Sequence, residues 1–137
     1  HAIAAIKIFQ DNIIFGSGVK MFRYECKKEK YRTASDNGCS THPHNIMLQI
    51  LSETGMVGLI FYLICLFAIF FHIKKYIFGN ANSEYKAIGS AVLGFYLVLM
   101  WPLIPSGNFF GNYNSIYIYL PLGFYLYYFN NRNLQNN

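Results

Sequence analysis

Apolar and polar positions fall into blocks along this chain rather than alternating. Residues 2–14 place Ile3, Ile6, Phe9 and Ile13 near one side of a helix and Lys7, Gln10 and Asp11 near the other, which predicts an amphipathic helix over residues 1–15 that packs on the protein or lies in a membrane interface. Gly16-Ser17-Gly18 ends it. Residues 16–44 form the strongly polar stretch and predict a loop with one short helix around Phe22 to Tyr31, with Ser35-Asp36-Asn37-Gly38 as turn chemistry. Three apolar runs follow. Met56 to Ile73 has no formally charged side chain apart from His72 when protonated, and Ala87 to Ile104 has none. Each is about 18 residues, near the minimum for a hydrocarbon core of about 30 Å. Ile116 to Phe129 is shorter, but Phe109, Phe110 and flanking tyrosines extend it into the interface where tyrosine is favoured.

The predicted fold class is therefore an all-α membrane protein. It has an interfacial plus transmembrane helix over 45–75, transmembrane helices over 86–104 and 114–129, and a polar cytoplasmic tail over 130–137. Pro121 predicts a kink in the last span. Composition agrees with this reading: hydrophobic residues are 54%, aromatic 19% and charged only 12%, too few charges to cover a water-facing surface. His1 is not a plausible natural start and no signal peptide opens the chain, so the sequence reads as the C-terminal fragment of a larger polytopic protein.

The residues with chemical potential cluster where the polar loop meets the first apolar run, from Cys39 to Gly58. A helix beginning near His44 puts Asn45, Gln49, Ser52 and Glu53 on one arc about 100° wide, with His44 at its edge in the first turn, where unpaired N–H groups favour an anion. Pro43 suits such a start. An imidazole that titrates near neutrality can take a proton from a hydroxyl; it can also serve only as a cap. His42 is a weaker candidate for the same task or a flank of the turn. Glu53, at the depth where the helix enters the membrane, calls for a partner, predicted to be an arginine or lysine. Gly55 and Gly58 predict close helix contact.

The loop carries Lys20, Arg23, Lys27, Lys28, Lys30 and Arg32 against Glu25, Glu29 and Asp36, and the whole chain is at +5. Guanidinium groups match phosphate oxygens in pairs, which makes Arg23, Arg32 and Lys20 candidates for a pyrophosphate and a solvated loop face the alternative. Cys26 and Cys39 bracket 12 residues. A disulfide, free thiols, and a zinc site completed by His42 and His44 are three readings of that pair; the short His-x-His gap argues against zinc. Cys65 lies mid-span as a packing residue.

His42-Pro43-His44-Asn45, followed by Leu48, Leu51, Glu53, Gly55 and Gly58 at these offsets, resembles the signature of the O-antigen ligase and O-antigen polymerase superfamily of bacterial membrane glycosyltransferases. Asp11-Asn12-Ile13-Ile14-Phe15-Gly16-Ser17-Gly18 is similar to the phrase that opens the large external loop in that family. The resemblance spans roughly residues 1–75. It implies an all-helical C-type glycosyltransferase fold and a multi-pass location in the bacterial inner membrane with the catalytic loop facing the periplasm. It also implies transfer of a glycan from undecaprenyl pyrophosphate to a sugar hydroxyl, on a growing glycan or on lipid A-core, in surface polysaccharide assembly. His44 would be the catalytic base or orienter, with His42, Asn45 and Glu53 in support, and no metal, cofactor, nucleotide sugar or nucleic acid is expected. Polymerase and ligase share the signature, with polymerase the preferred of the two. The bare count of six cations in the loop against Lys74, Lys75 and Lys86 would place the loop inside, whereas the resemblance and the loop cysteines place it outside. A cationic loop kept outside against that bias suits an anionic ligand. The alternatives are a non-enzymatic membrane protein whose loop binds anionic lipid or a partner, and a zinc-dependent membrane hydrolase.

Overall fold

The computed structural model describes residues 1–32, 39–79, 82–101 and 105–135. The turn predicted at residues 35–38, the linker residues Asn80 and Ala81, and Pro102 at the expected end of the second span lie outside the described residues. Within them the chain is helical: α1 (Ala2–Asp11), α2 (Phe22–Glu25), a 3-10 turn (Glu29–Tyr31), α3 (Ile46–Phe78), α4 (Ser83–Leu99) and α5 (Asn112–Gln135). The single short helix expected near Phe22 is thus two short turns.

Helix α3 is two helices in series. Gly55 stands at φ 66, ψ −161, outside helical space, and breaks the hydrogen-bond ladder between the polar first turns and the apolar run. Residues Ile46–Lys75 form the one helix among the described residues that is long and apolar enough to cross a membrane. Three spans were expected. The 17 residues of α4 rise only about 26 Å at 1.5 Å per residue, short of a hydrocarbon core of about 30 Å. α5 is long enough but dilutes its apolar residues with asparagines and tyrosines, and it passes through Pro121 as one helix to Gln135, beyond the end predicted at 129.

Helices α3, α4 and α5 run down, up and down beside one another. At one end Ile46 and Ile50 pack with Tyr96, Met100 and Ile118; at the other, Ile73 packs with Tyr125 and Phe129. Gly89 lets α4 approach Ile73 and Ile77 there. This order brings the loop before α3 and the loop between α4 and α5 to the same end of the bundle. A separate core lies under the polar loop, where Ala4, Ala5 and Ile8 of α1 bury against Phe22, Cys26 and Tyr31. Of the two placements expected for the apolar face of α1, packed on the protein or lying in an interface, the first is not adopted here: Ile3, Ile6 and Ile13 are exposed. Alanines win because they let the helix backbone come close to the aromatic rings below it.

Candidate functional site

The two glycine motifs meet across the break in α3. Gly16 and Gly55 both adopt positive φ, at 69° and 66°. A Cβ on Gly16 would lie 2.4 Å from Glu53 C and Thr54 N, and a Cβ on Gly55 would lie 2.4 Å from Ile14 O. That closeness lets the strand of chain at 13–18 repair the broken ladder. Ser17 N and Gly18 N donate to the carbonyls of Ser52 and Glu53, both at 2.9 Å, and Met56 N and Val57 N donate to those of Ile13 and Ile14 at 2.8 and 3.2 Å. Four backbone groups that a helix end would leave unpaired are satisfied. Gly58 has a different task, leaving room for the Thr54 side chain.

The polar arc of α3 turns inward. Gln49, Ser52 and Glu53 are each at most 1% exposed. The partner of Glu53 is not the predicted cation but main chain: Lys20 N and Phe22 N donate to its two oxygens at 3.0 and 3.1 Å. A short loop pinned by two N–H groups holds a buried carboxylate without burying a second charge. Gln49 Nε2 donates to Glu53 at 3.2 Å and to Asn108 Oδ1 at 2.7 Å, while Phe109 N donates to Gln49 Oε1 at 2.9 Å. Gln49 therefore ties the α4–α5 loop to the start of α3.

His44 precedes the helix instead of standing in its first turn. Asn45 is the N-cap, its side chain accepting from Leu48 N at 3.0 Å, and Pro43 lies outside the helix, buried. His44 adopts φ 57, a left-handed conformation that histidine tolerates better than most residues, and its side chain is exposed. Its ring centroid is 4.2 Å from that of His42 and 5.1 Å from that of His1. Ser40 Oγ lies 3.3 Å from His44 Nε2, accepts from His42 N at 3.3 Å and donates to the His42 carbonyl. His42, half-buried, has Thr41 Oγ1 at 2.9 Å from Nδ1 and the Ser106 carbonyl at 3.3 Å from Nε2. Ser106 N donates to the His44 carbonyl at 2.9 Å, so one loop residue clamps both histidines. Burial holds the His42 imidazole below its usual value, helped by the charges of His44 and Arg23, and the Ser106 carbonyl opposes this only in part.

The family model described as O-antigen ligase matches residues 2–63. No curated protein and no solved structure matches the chain.

The matched segment runs from α1 to the upper half of the apolar helix, so it contains both glycine motifs, the histidine turn and the basic loop. Of the loop cations, Arg23 comes nearest to the histidines in effect. It is half-buried, its charge is felt at His42, and its Nε is buried without a hydrogen-bond partner among the described residues. Lys20 is exposed beside Glu53, and the Arg32 carbonyl accepts from Lys7 on α1 at 3.3 Å. Lys28 pairs with Glu25 at 2.7 Å and Lys30 with Asp11 at 2.9 Å. Hydrogen bonds from Lys30 and Tyr31 hold the Asp11 carboxyl below the usual carboxylate range.

Cys26 and Cys39 are joined by a disulfide, with Cα atoms 5.2 Å apart, linking the end of α2 to the segment that leads into the histidine turn. With both sulfurs bonded to each other, the four-ligand zinc set of the sequence reading does not form. Among the described residues no three His, Cys, Asp or Glu side chains group to hold a metal. Sequence reasoning placed Gln49 on the polar arc without giving it a task, and it missed Ser40, Ser106 and Asn108 as parts of the site. The uncharged run Ser106 to Asn114 was the available signal, since a polar loop without charge between two apolar runs tends to bond main chain.

Proposed function

We propose that this chain is the acceptor-side portion of a lipid-linked glycan transferase. In this reading a glycan on undecaprenyl pyrophosphate is passed to a sugar hydroxyl on the outer face of the bacterial inner membrane, in surface polysaccharide polymerisation or ligation. The O-antigen ligase match supports the reaction class. The observation that carries the site is the exposed His44 ring, clamped through its backbone by Ser106 at the head of the apolar helix, next to the half-buried His42, at which the charge of Arg23 is felt. The acceptor oxygen attacks the anomeric carbon of the donor sugar and its proton passes to His44. The bond from that carbon to the pyrophosphate breaks, and the electron pair leaves on the phosphate oxygen. In this reading Arg23 meets the anionic leaving group, with Lys20 and Arg32 of the same loop as further candidates. His42, Asn45 and Glu53 hold the turn and the loop in register.

With α3 as the membrane passage, the down-up-down order of α3, α4 and α5 puts the histidine turn and the α4–α5 loop together on what this reading takes as the periplasmic side. The test is His44→Ala in the full-length protein, with glycan chain length followed on gels. Loss of polymer by a factor of about 10² or more supports the enzyme; unchanged polymer removes it and leaves the cationic loop as a lipid- or partner-binding surface.

A further inference from the structure

The proton inventory of the histidine turn decides which nitrogen is open. A serine hydroxyl has one hydrogen to give and two lone pairs to offer. Ser40 spends its hydrogen on the His42 carbonyl and receives the His42 backbone N–H. One lone pair remains, and it faces His44 Nε2 at 3.3 Å, so that nitrogen must carry the hydrogen. The Ser106 carbonyl accepts only, so His42 Nε2 carries a hydrogen too, and His42 Nδ1 receives the Thr41 hydroxyl. Both nitrogens of His42 are thereby committed, whereas among the described residues none bonds to the second nitrogen of His44, which keeps its lone pair open.

We infer that His44 Nδ1 is the proton-accepting atom, and that Ser40 is the positioning residue that leaves it open. This inference rests on the glycan-transfer reading above and sharpens it. When the acceptor hydroxyl bonds to the anomeric carbon, its proton moves to Nδ1. The resulting imidazolium keeps its Nε2–H on the Ser40 oxygen, whose lone pair is aimed there by the His42 carbonyl. The ring thus neither rotates nor changes partner as the charge develops.

The experiment uses the full-length protein in membranes, with the lipid-linked glycan extracted from the same cells as donor. Ser40→Ala is expected to lower kcat about tenfold at unchanged KM, and Ser40→Thr to restore most of it. In 15N spectra of histidine-labelled wild-type protein, His44 is expected in the Nε2–H form, and in Ser40→Ala as a mixture of both tautomers. An Nδ1–H form of His44 in the wild type overturns the inference even when Ser40→Ala fails to fold. So does a Ser40→Ala enzyme with wild-type kcat, while His44→Ala remains inactive. A His44→Ala enzyme with full activity instead overturns the transfer reading itself.

Discussion

The polar half of this molecule and its apolar half hold together by different means. From α1 to Gly55 the chain is stitched by directed bonds. Gly16 and Gly55 interlock, Glu53 receives two main-chain N–H groups, Cys26 bonds to Cys39, and Asp11 receives Lys30 and Tyr31. From Met56 onward the helices meet through rings and aliphatic side chains, and much of their apolar surface points outward, as at Phe71, 62% exposed, and Tyr127, 69% exposed. Directed bonds tolerate no change of geometry, whereas apolar faces accept lipid or a further helix equally well. Position-specific demands therefore concentrate in the first half, which is also where the family match lies.

That contrast breaks most sharply at glycine. Gly55→Ala and Gly16→Ala each place a Cβ inside 3 Å of main chain at positive φ, and each should cost about 3 kcal/mol or more, read as loss of folded protein in detergent. Gly94→Ala and Gly123→Ala, with nothing within 4 Å of the added atom, should change the same measurement by less than about 0.5 kcal/mol, a small gain included. Equal losses at all four positions would erase the distinction between the halves.

Glu53→Leu comes next. Two N–H groups, that of Phe22 buried and that of Lys20 partly so, lose their acceptor, at about 3 kcal/mol for a charge-assisted pair. Resistance to proteolysis in the 16–25 loop checks this, and a loop that stays protected would contradict it. The double change Cys26→Ser with Cys39→Ser should remove about 3 kcal/mol by loop-closure entropy, and reductant should reproduce that loss in the wild type but not in the variant.

The smallest effect is one of pH. His42 has a folded-state value below its ordinary one, so it favours the fold fully at pH above the unfolded value of about 6.5 and withdraws that support as pH falls through the window beneath it. Thermal unfolding should therefore move down on acidification below about 6.5, and His42→Asn should flatten this slope. An unchanged slope would mean that another group sets it.

The match between sequence and structure follows the same division. Asp11 to Gly18 and His42 to Gly58 stand apart in the sequence as two motifs, and the structure shows that they form one object, since Gly16 needs Gly55. Nothing in the spacing of either motif states that they touch. Glu53 was legible as a buried charge that needs a partner, but its partners are backbone N–H groups of Lys20 and Phe22, and every residue except proline supplies one. On α1 the sequence left open whether the isoleucine face packs or lies in an interface, and the structure buries the alanines beside it. Hydrophobicity ranks Ile3 and Ile6 above Ala4 and Ala5, but close packing is decided by the size of the side chain between two backbones.

By itself the sequence determined the helical class, the apolar run that begins at Met56, the cationic loop ahead of it and the histidine pair at their junction. These follow from the period and blocking of side-chain types, which act locally. Only the tertiary structure decided that α3 is broken and repaired at Gly55, that Ser106 clamps the histidine turn from far along the chain, and that Ser40 leaves one nitrogen of His44 open. Such choices turn on distances of a few ångströms between segments remote in sequence, and a hydrogen bond exists only where those distances are met.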